Sequence, residues 1–151
     1  MNQKRTVSLI ALFSLFALLL TGLTACGAPK EVDIETLPEA IVAAVDFEDE
    51  LTEINEFGVK NMYMMPDGTT GRVFLGSGAT AEEVSVFQCQ DEAAAKEMLE
   101  AANTHIQSRI AKFQDYEPAQ VPLLENALVK QVGNAVVVCV AKDTAPAAKL
   151  I

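Results

Sequence analysis

VSVFQCQDEAAAKEMLEAANTHIQSRIAKFQ, residues 84–114, is the stretch on which the fold turns. Its first six residues alternate as a strand does. Ser85, Phe87 and Cys89 fall on one face, and Val84, Val86 and Gln88 on the other. Asp91 then stands where a helix N-cap belongs, and the apolar period changes from two to three or four. Met98, Ala102, Ile106, Ile110 and Phe113 recur at that spacing over Glu92 to Gln114 and mark one buried stripe. Glu92, Glu97 and Glu100 lie toward the start, Arg109 and Lys112 toward the end, as the helix dipole prefers. A strand running into a long, one-sided helix predicts a helix laid across a sheet.

Downstream, Tyr116 to Pro122 reads as a connection carrying Pro118 and Pro122. Asn126 to Val132 and Ala135 to Ala141 read as two strands around Gly133-Asn134, a two-residue hairpin signal. Such a loop pairs Val132 with Ala135, Val129 with Val138 and Leu128 with Cys139. One face then holds Ala127, Val129, Val136, Val138 and Val140, and the other Asn126, Lys130, Val137 and Cys139. The first is more apolar and is expected to meet the helix. Cys139 would point away from the core that Phe87 and Cys89 enter, so the two cysteines are expected to be unbonded. After Pro146 too few residues remain for a substantial helix.

Upstream, Arg72 to Leu75 reads as a strand and Gly76-Ser77-Gly78 as a flexible turn. Gly71 and Gly76 have P-loop spacing, but Ser77 stands where that motif needs lysine. Thr80-Ala81-Glu82-Glu83 has capping-box spacing and predicts a single helical turn. Gly58 to Thr70 reads as a loop with Pro66-Asp67-Gly68 as its turn. Asp46 to Glu56 reads as a short amphipathic helix with a solvated acidic face. An EF-hand loop counted from Asp46 would need Gly and Glu where Leu51 and Phe57 stand. Thr36-Leu37-Pro38-Glu39 starts another helix, with Ile41, Val42 and Val45 at helical spacing. The expected fold is α+β: one or two N-terminal helices, then an antiparallel β-β-α-β-β sheet with one long helix packed on a face. It forms a single domain over 33–151.

The first 25 residues read as an address. Lys4 and Arg5 precede an apolar run from Val7 to Leu20, interrupted only by Ser8 and Ser14. That run is shorter than the roughly 20 apolar residues a transmembrane helix needs, and it suits a secretory signal. Leu23-Thr24-Ala25 then places small residues directly before Cys26. This is identified as a lipobox. It implies cleavage after residue 25, a diacylglycerol thioether at Cys26, a short tether over 26–32, and an acyl anchor on the extracytoplasmic face of the cell membrane. All 21 acidic residues follow Cys26, as do nine of the 11 basic ones. No basic patch is present for nucleic acid. An acidic body is repelled by anionic headgroups, so the lipid has to do the anchoring.

Sites for chemistry are sparse. His105 is the only histidine. A Cys89–His105 dyad has no motif behind it, and nucleophilic catalysis needs a nucleophile, a base and an orienting group together. Met62, Met64 and Met65 read as core or loop filling rather than a Cu(I) site. The acids cluster in Asp46–Glu56 and on helix exteriors, where solvation is expected. No catalytic residue, cofactor or metal site is therefore assigned. The expected function is that of a lipid-anchored envelope protein that binds or scaffolds an unknown envelope protein or ligand without catalysis. The alternatives are a small envelope-acting hydrolase or an accessory solute-binding component. The chain is too short for the two lobes usual in solute-binding proteins. It has no Trp and only Tyr63 and Tyr116 to stack on sugars.

Several segments together resemble a family of small clostridia-type lipoproteins, domain of unknown function 4358. They are the lipobox, Glu31-Val32-Asp33-Ile34, Phe47-Glu48-Asp49-Glu50-Leu51, the run from Gly76 to Val84, Val86-Phe87, Asn126-Ala127 and Lys130 to Asn134. The resemblance spans the chain beyond the signal and implies no activity. Similar proteins end in a longer C-terminal helix; here that element is cut short.

Overall fold

The computed structural model describes residues 32–151. The signal segment, Cys26 and the tether up to residue 31 lie outside the described residues. The elements in chain order are α1 (Leu37–Ala44), β1 (Thr52–Glu53), α2 (Glu56–Met62), β2 (Thr70–Leu75), β3 (Glu83–Gln88), α3 (Glu92–Tyr116), α4 (Val121–Glu125), β4 (Leu128–Val132), β5 (Ala135–Val140) and α5 (Ala145–Leu150). A 3-10 turn, Pro118–Gln120, joins α3 to α4. The strands form one antiparallel sheet in the order β1-β2-β3-β5-β4.

The hairpin adopts the register its loop length dictates: Val132 opposite Ala135, Val129 opposite Val138, Leu128 opposite Cys139. Gly133 has φ +56° while Asn134 stays negative. That is the type II′ pattern, which matches the twist of the flanking strands. Asp91 caps α3 by accepting a hydrogen bond from the Ala94 amide at 2.8 Å. Ala95, Met98, Ala102 and Ile106 of α3 are buried against Phe87, Cys89, Val136, Val138 and Val140. This is the α+β fold expected, with the long helix on the more apolar face.

The second face is covered as well. Val84, Val86, Val137 and Cys139 pack under Ile41 and Val45, with Ala147 of α5 beside them. The short C-terminal helix thus shares with α1 the work of closing that face. Cys89 and Cys139 are both free and sit in the two different cores. Burial, and next the negative charges of Glu83 and Glu82, push the Cys139 thiol up to about 12, so it is not a nucleophile at ordinary pH.

Five local expectations are corrected. The acidic stretch 46–56 is not a helix. The amides of Glu48 and Asp49 donate to the two oxygens of Glu82 at 2.8 and 2.9 Å, and Asp49 Oδ2 accepts from the Ser77 amide at 2.6 Å. These long-range bonds replace the i→i−4 bonds a helix would need. The helix comes later, as α2, which starts at Glu56 and runs into the segment read as a loop. Asn55 caps it through the Gly58 amide at 2.9 Å, and Lys60 pairs with Glu56 at 2.5 Å. Thr80–Glu83 makes no helical turn, because Glu83 already belongs to β3. The connection after α3 is largely helical, with Pro118 and Pro122 in first turns, where the missing N–H costs nothing. Thr36 does precede α1, but its hydroxyl donates to Asp33 Oδ2 at 2.7 Å rather than capping the helix.

Gly71 lies opposite Phe87 in the β2–β3 pair. A Cβ there would sit 2.4 Å from the Phe87 ring. Since Phe87 is fully buried, it has no free space to move into. Gly71→Ala is expected to cost about 2 kcal/mol, read as a lower urea midpoint at unchanged slope. An unchanged midpoint would show that the ring can shift.

Candidate functional site

The site is built around Glu83, the first residue of β3. Strand alternation puts it on the same face as Ser85 and Phe87, under α3. It has no exposed surface. Isolated, a buried carboxylate would cost several kcal/mol, so it must be paired. Tyr63, just past α2, donates its hydroxyl to Oε1, and Ser85 Oγ donates to the same oxygen at 2.5 Å. His105 Nε2 lies 3.0 Å from Oε2, and Arg109 Nη1 donates to that oxygen at 2.6 Å. His105 and Arg109 are four apart on α3, so they share one helix face. Four side chains from three elements thus converge on one carboxylate.

Burial alone would raise the Glu83 carboxyl. The hydrogen bond and charge of His105, the charge of Arg109 and the Ser85 hydroxyl more than offset that and hold it at about 2. It is ionised throughout the ordinary pH range. Tyr63 is driven well above the usual phenol range, first by burial and then by the adjacent Glu83 charge, so it stays a donor. The Tyr63 ring lies 4.2 Å from the His105 ring and 4.6 Å from Phe87. The Arg109 guanidinium sits 5.4 Å above the Phe113 ring. Tyr63, His105 and Arg109 are therefore also held by packing.

The cluster reaches the surface on one side. His105 and Arg109 side chains are 9% and 14% exposed. Together with Met62 and Lys112 they line two adjoining cavities. One, of about 510 Å³, continues past Asn61, Thr104 and Ser108. The other, of about 240 Å³, continues past Leu75, Thr80 and Phe113. Among the described residues His105 Nδ1 and the Nε and Nη2 of Arg109 have no hydrogen-bond partner. Among the described residues Thr69 Oγ1 is the enclosed side-chain oxygen left without a partner. The His105 and Arg109 side chains both line the two cavities, where His105 Nδ1 donates or accepts according to its tautomer.

His105 does meet a buried partner, but it is Glu83 and not Cys89. The expectation that the acids are solvated fails at Glu82 and Glu83, both of which are buried. The signal was present in the sequence: stepping back by two from Cys89 through Phe87 and Ser85 reaches Glu83 on the core face. Among the described residues no hydroxyl or thiol is hydrogen-bonded to His105. No group of three or more His, Cys, Asp or Glu among them is placed to hold a metal. No described helix is long and apolar enough to cross a membrane. Cys26, the one site residue assigned from the sequence, lies outside the described residues.

Fold and site define a small α+β domain whose long helix carries a buried carboxylate–cation cluster to the wall of a surface cleft. The model of the family described as Domain of unknown function (DUF4358) matches residues 43–141. The chain belongs to that family. The match takes in the 47–51 and 76–84 segments that bind each other through Glu82 and Asp49, and the β4–β5 hairpin. No curated protein and no solved structure matches the chain.

Proposed function

We propose that this chain is a lipid-anchored protein of the bacterial cell envelope. It faces outward from the membrane and binds a ligand or protein partner without transforming it. The anchor rests on the signal layout that ends at Cys26. The non-catalytic binding rests on one observation, the saturated Glu83 carboxylate. It accepts four donors and holds His105 and Arg109 rigidly at the cleft wall. A carboxyl held at about 2 does not exchange a proton near neutral pH, whereas a general acid or base works with a pKa near the operating pH. The arrangement suits recognition: donors already in place lose little freedom on binding.

A hydrolase is the second reading, and the Glu83–His105 contact favours it. An acid bonded to one imidazole nitrogen is the orienting half of an acid–histidine–nucleophile arrangement, and Thr104 and Ser108 line the same cleft. Three measurements test the proposal together. Cells fed a clickable fatty acid should label the wild-type chain and not Cys26→Ser; label on the variant would remove the anchor. The purified protein should show no turnover of envelope-derived esters, peptides or glycans. Turnover abolished by His105→Gln would establish the hydrolase instead. A photoreactive residue at Ser108 should capture a partner that one at Lys130, on another part of the surface, does not.

A further inference from the structure

We infer that the paired cavities on either side of Arg109 form one groove for a small amphipathic monocarboxylate, an acid group on an apolar chain. The inference rests on the non-catalytic binding reading above and names its ligand class.

The two cavities share Met62, His105, Arg109 and Lys112, so a ligand can cross from one to the other. At that crossing Arg109 spends only Nη1 on Glu83. Its Nε and Nη2 have no hydrogen-bond partner among the described residues, and the side chain lines both cavities beside Lys112. In a body with 21 acidic side chains, this is a local concentration of donors. The charge balance sets the ligand's charge. Arg109 is paired with Glu83, and Glu82, whose oxygens accept from the Glu48 and Asp49 amides, lines the smaller cavity. Glu100 lines the far end of the larger cavity. Lys112 has no ion-pair partner among the described residues, while the acids Glu82 and Glu100 in the lining work against a phosphate dianion or polyanion, so a single negative charge is favoured. A planar carboxylate also suits the geometry of a guanidinium.

The apolar half follows from the smaller cavity. Leu75 and Phe113 line it, and Met62 bridges to the larger one. Phe113 is fixed under the Arg109 guanidinium. Met64 is 85% exposed at the rim and, as an unbranched thioether, adapts to chains of varied shape. A carboxylate at Arg109 and Lys112 with its chain toward Leu75 and Phe113 occupies the crossing and the smaller cavity and leaves no polar group of the ligand against an apolar wall.

The test uses the full chain in its own membranes with a diazirine-bearing decanoate. Light should attach the probe to peptides 61–72 and 97–109, which carry Met62, Met64 and His105. Excess decanoate should block labelling, while acetate and decyltrimethylammonium should not. Lys112→Gln should lower labelling roughly threefold, the loss of one exposed charge contact. Lys130→Gln, on the far strand, should leave it unchanged. Equal blocking by the cationic analogue would overturn the carboxylate assignment and leave the binding cleft standing. No labelling of these peptides above that of the β4 strand would overturn the inference outright. Capture from Ser108 would then still judge the cleft by itself.

Discussion

Glu83→Gln is expected to destabilise the domain by about 3 kcal/mol. The side chain keeps its volume and loses its charge. Arg109, 14% exposed, then keeps its own charge without a buried counterpart. Breaking one partner of a buried pair costs roughly 3–5 kcal/mol. The lower end applies because Arg109 can still reach water through the cleft. Removing both charges, as in Glu83→Gln with Arg109→Met, should recover part of the loss, and the double-mutant cycle gives the coupling directly.

The pH dependence has a defined sign. The Glu83 carboxyl stands at about 2 in the folded chain against an ordinary 4.5. The unfolded chain therefore binds the proton more readily. The stability from this group is complete above pH 4.5 and is lost as pH falls toward 2. Asp49 and Glu53 are also lowered, through hydrogen bonds from Ser77 and Arg72. The acid limb is thus shared, and the difference between wild type and Glu83→Gln isolates the buried group. That difference should shrink on acidification through this window. A gap that stays constant with pH would mean Glu83 is not the titrating group.

Glu82→Ala should cost a similar amount, about 3 kcal/mol, by a different route. Glu82 is 1% exposed, and its two oxygens hold the amides of Glu48 and Asp49. Each is a hydrogen bond to a charged group, worth about 1.5–3 kcal/mol. The variant strands two amides and removes the clasp between the 46–51 segment and the turn before β3. Hydrogen exchange at Glu48 and Asp49 should accelerate selectively while α3 stays protected. Glu82→Gln, which keeps one acceptor oxygen, should fall between. Uniform acceleration across the domain would argue against a local clasp.

The contrast between these neighbouring glutamates explains what was legible in the sequence. The long helix, its Asp91 cap and the hairpin register could be read because each follows from local rules: a period, a cap, a two-residue loop. The stretch from 46 to 56 could not. Its helical pattern of Phe47, Leu51 and Ile54 is genuine, yet Glu82 and Ser77, distant in sequence, take or supply its hydrogen bonds. Gly58 hid α2, because nothing in its own spacing announces that Asn55 will cap the helix it interrupts. Glu82 and Glu83 looked like a capping box since acids two and three residues after a threonine usually face water. Only burial on the sheet turns them inward. The site was half visible: His105 and Arg109 sit four apart beside the Ile106–Ile110 stripe, but their shared partner is on another element.

The burial of both sheet faces bears on how this chain avoids sticking to its copies. Ala-Val-Val-Val-Cys-Val, 135–140, is buried at every position. It is uncharged, β-branched and free of proline, the composition that stacks into cross-β fibrils when left open. One of its flanks is closed by β4 across a two-residue loop, on the microsecond scale of hairpin formation. Its other flank waits for β3, which lies on the far side of α3 in sequence and must close a long loop to arrive. Meanwhile β4 is the outer strand, and Lys130 sits at its centre, a charge of the kind that discourages edge pairing. The hairpin thus works as a sheath. During the slow interval before the sheet completes, it leaves the most aggregation-prone strand of the molecule with one free edge instead of two.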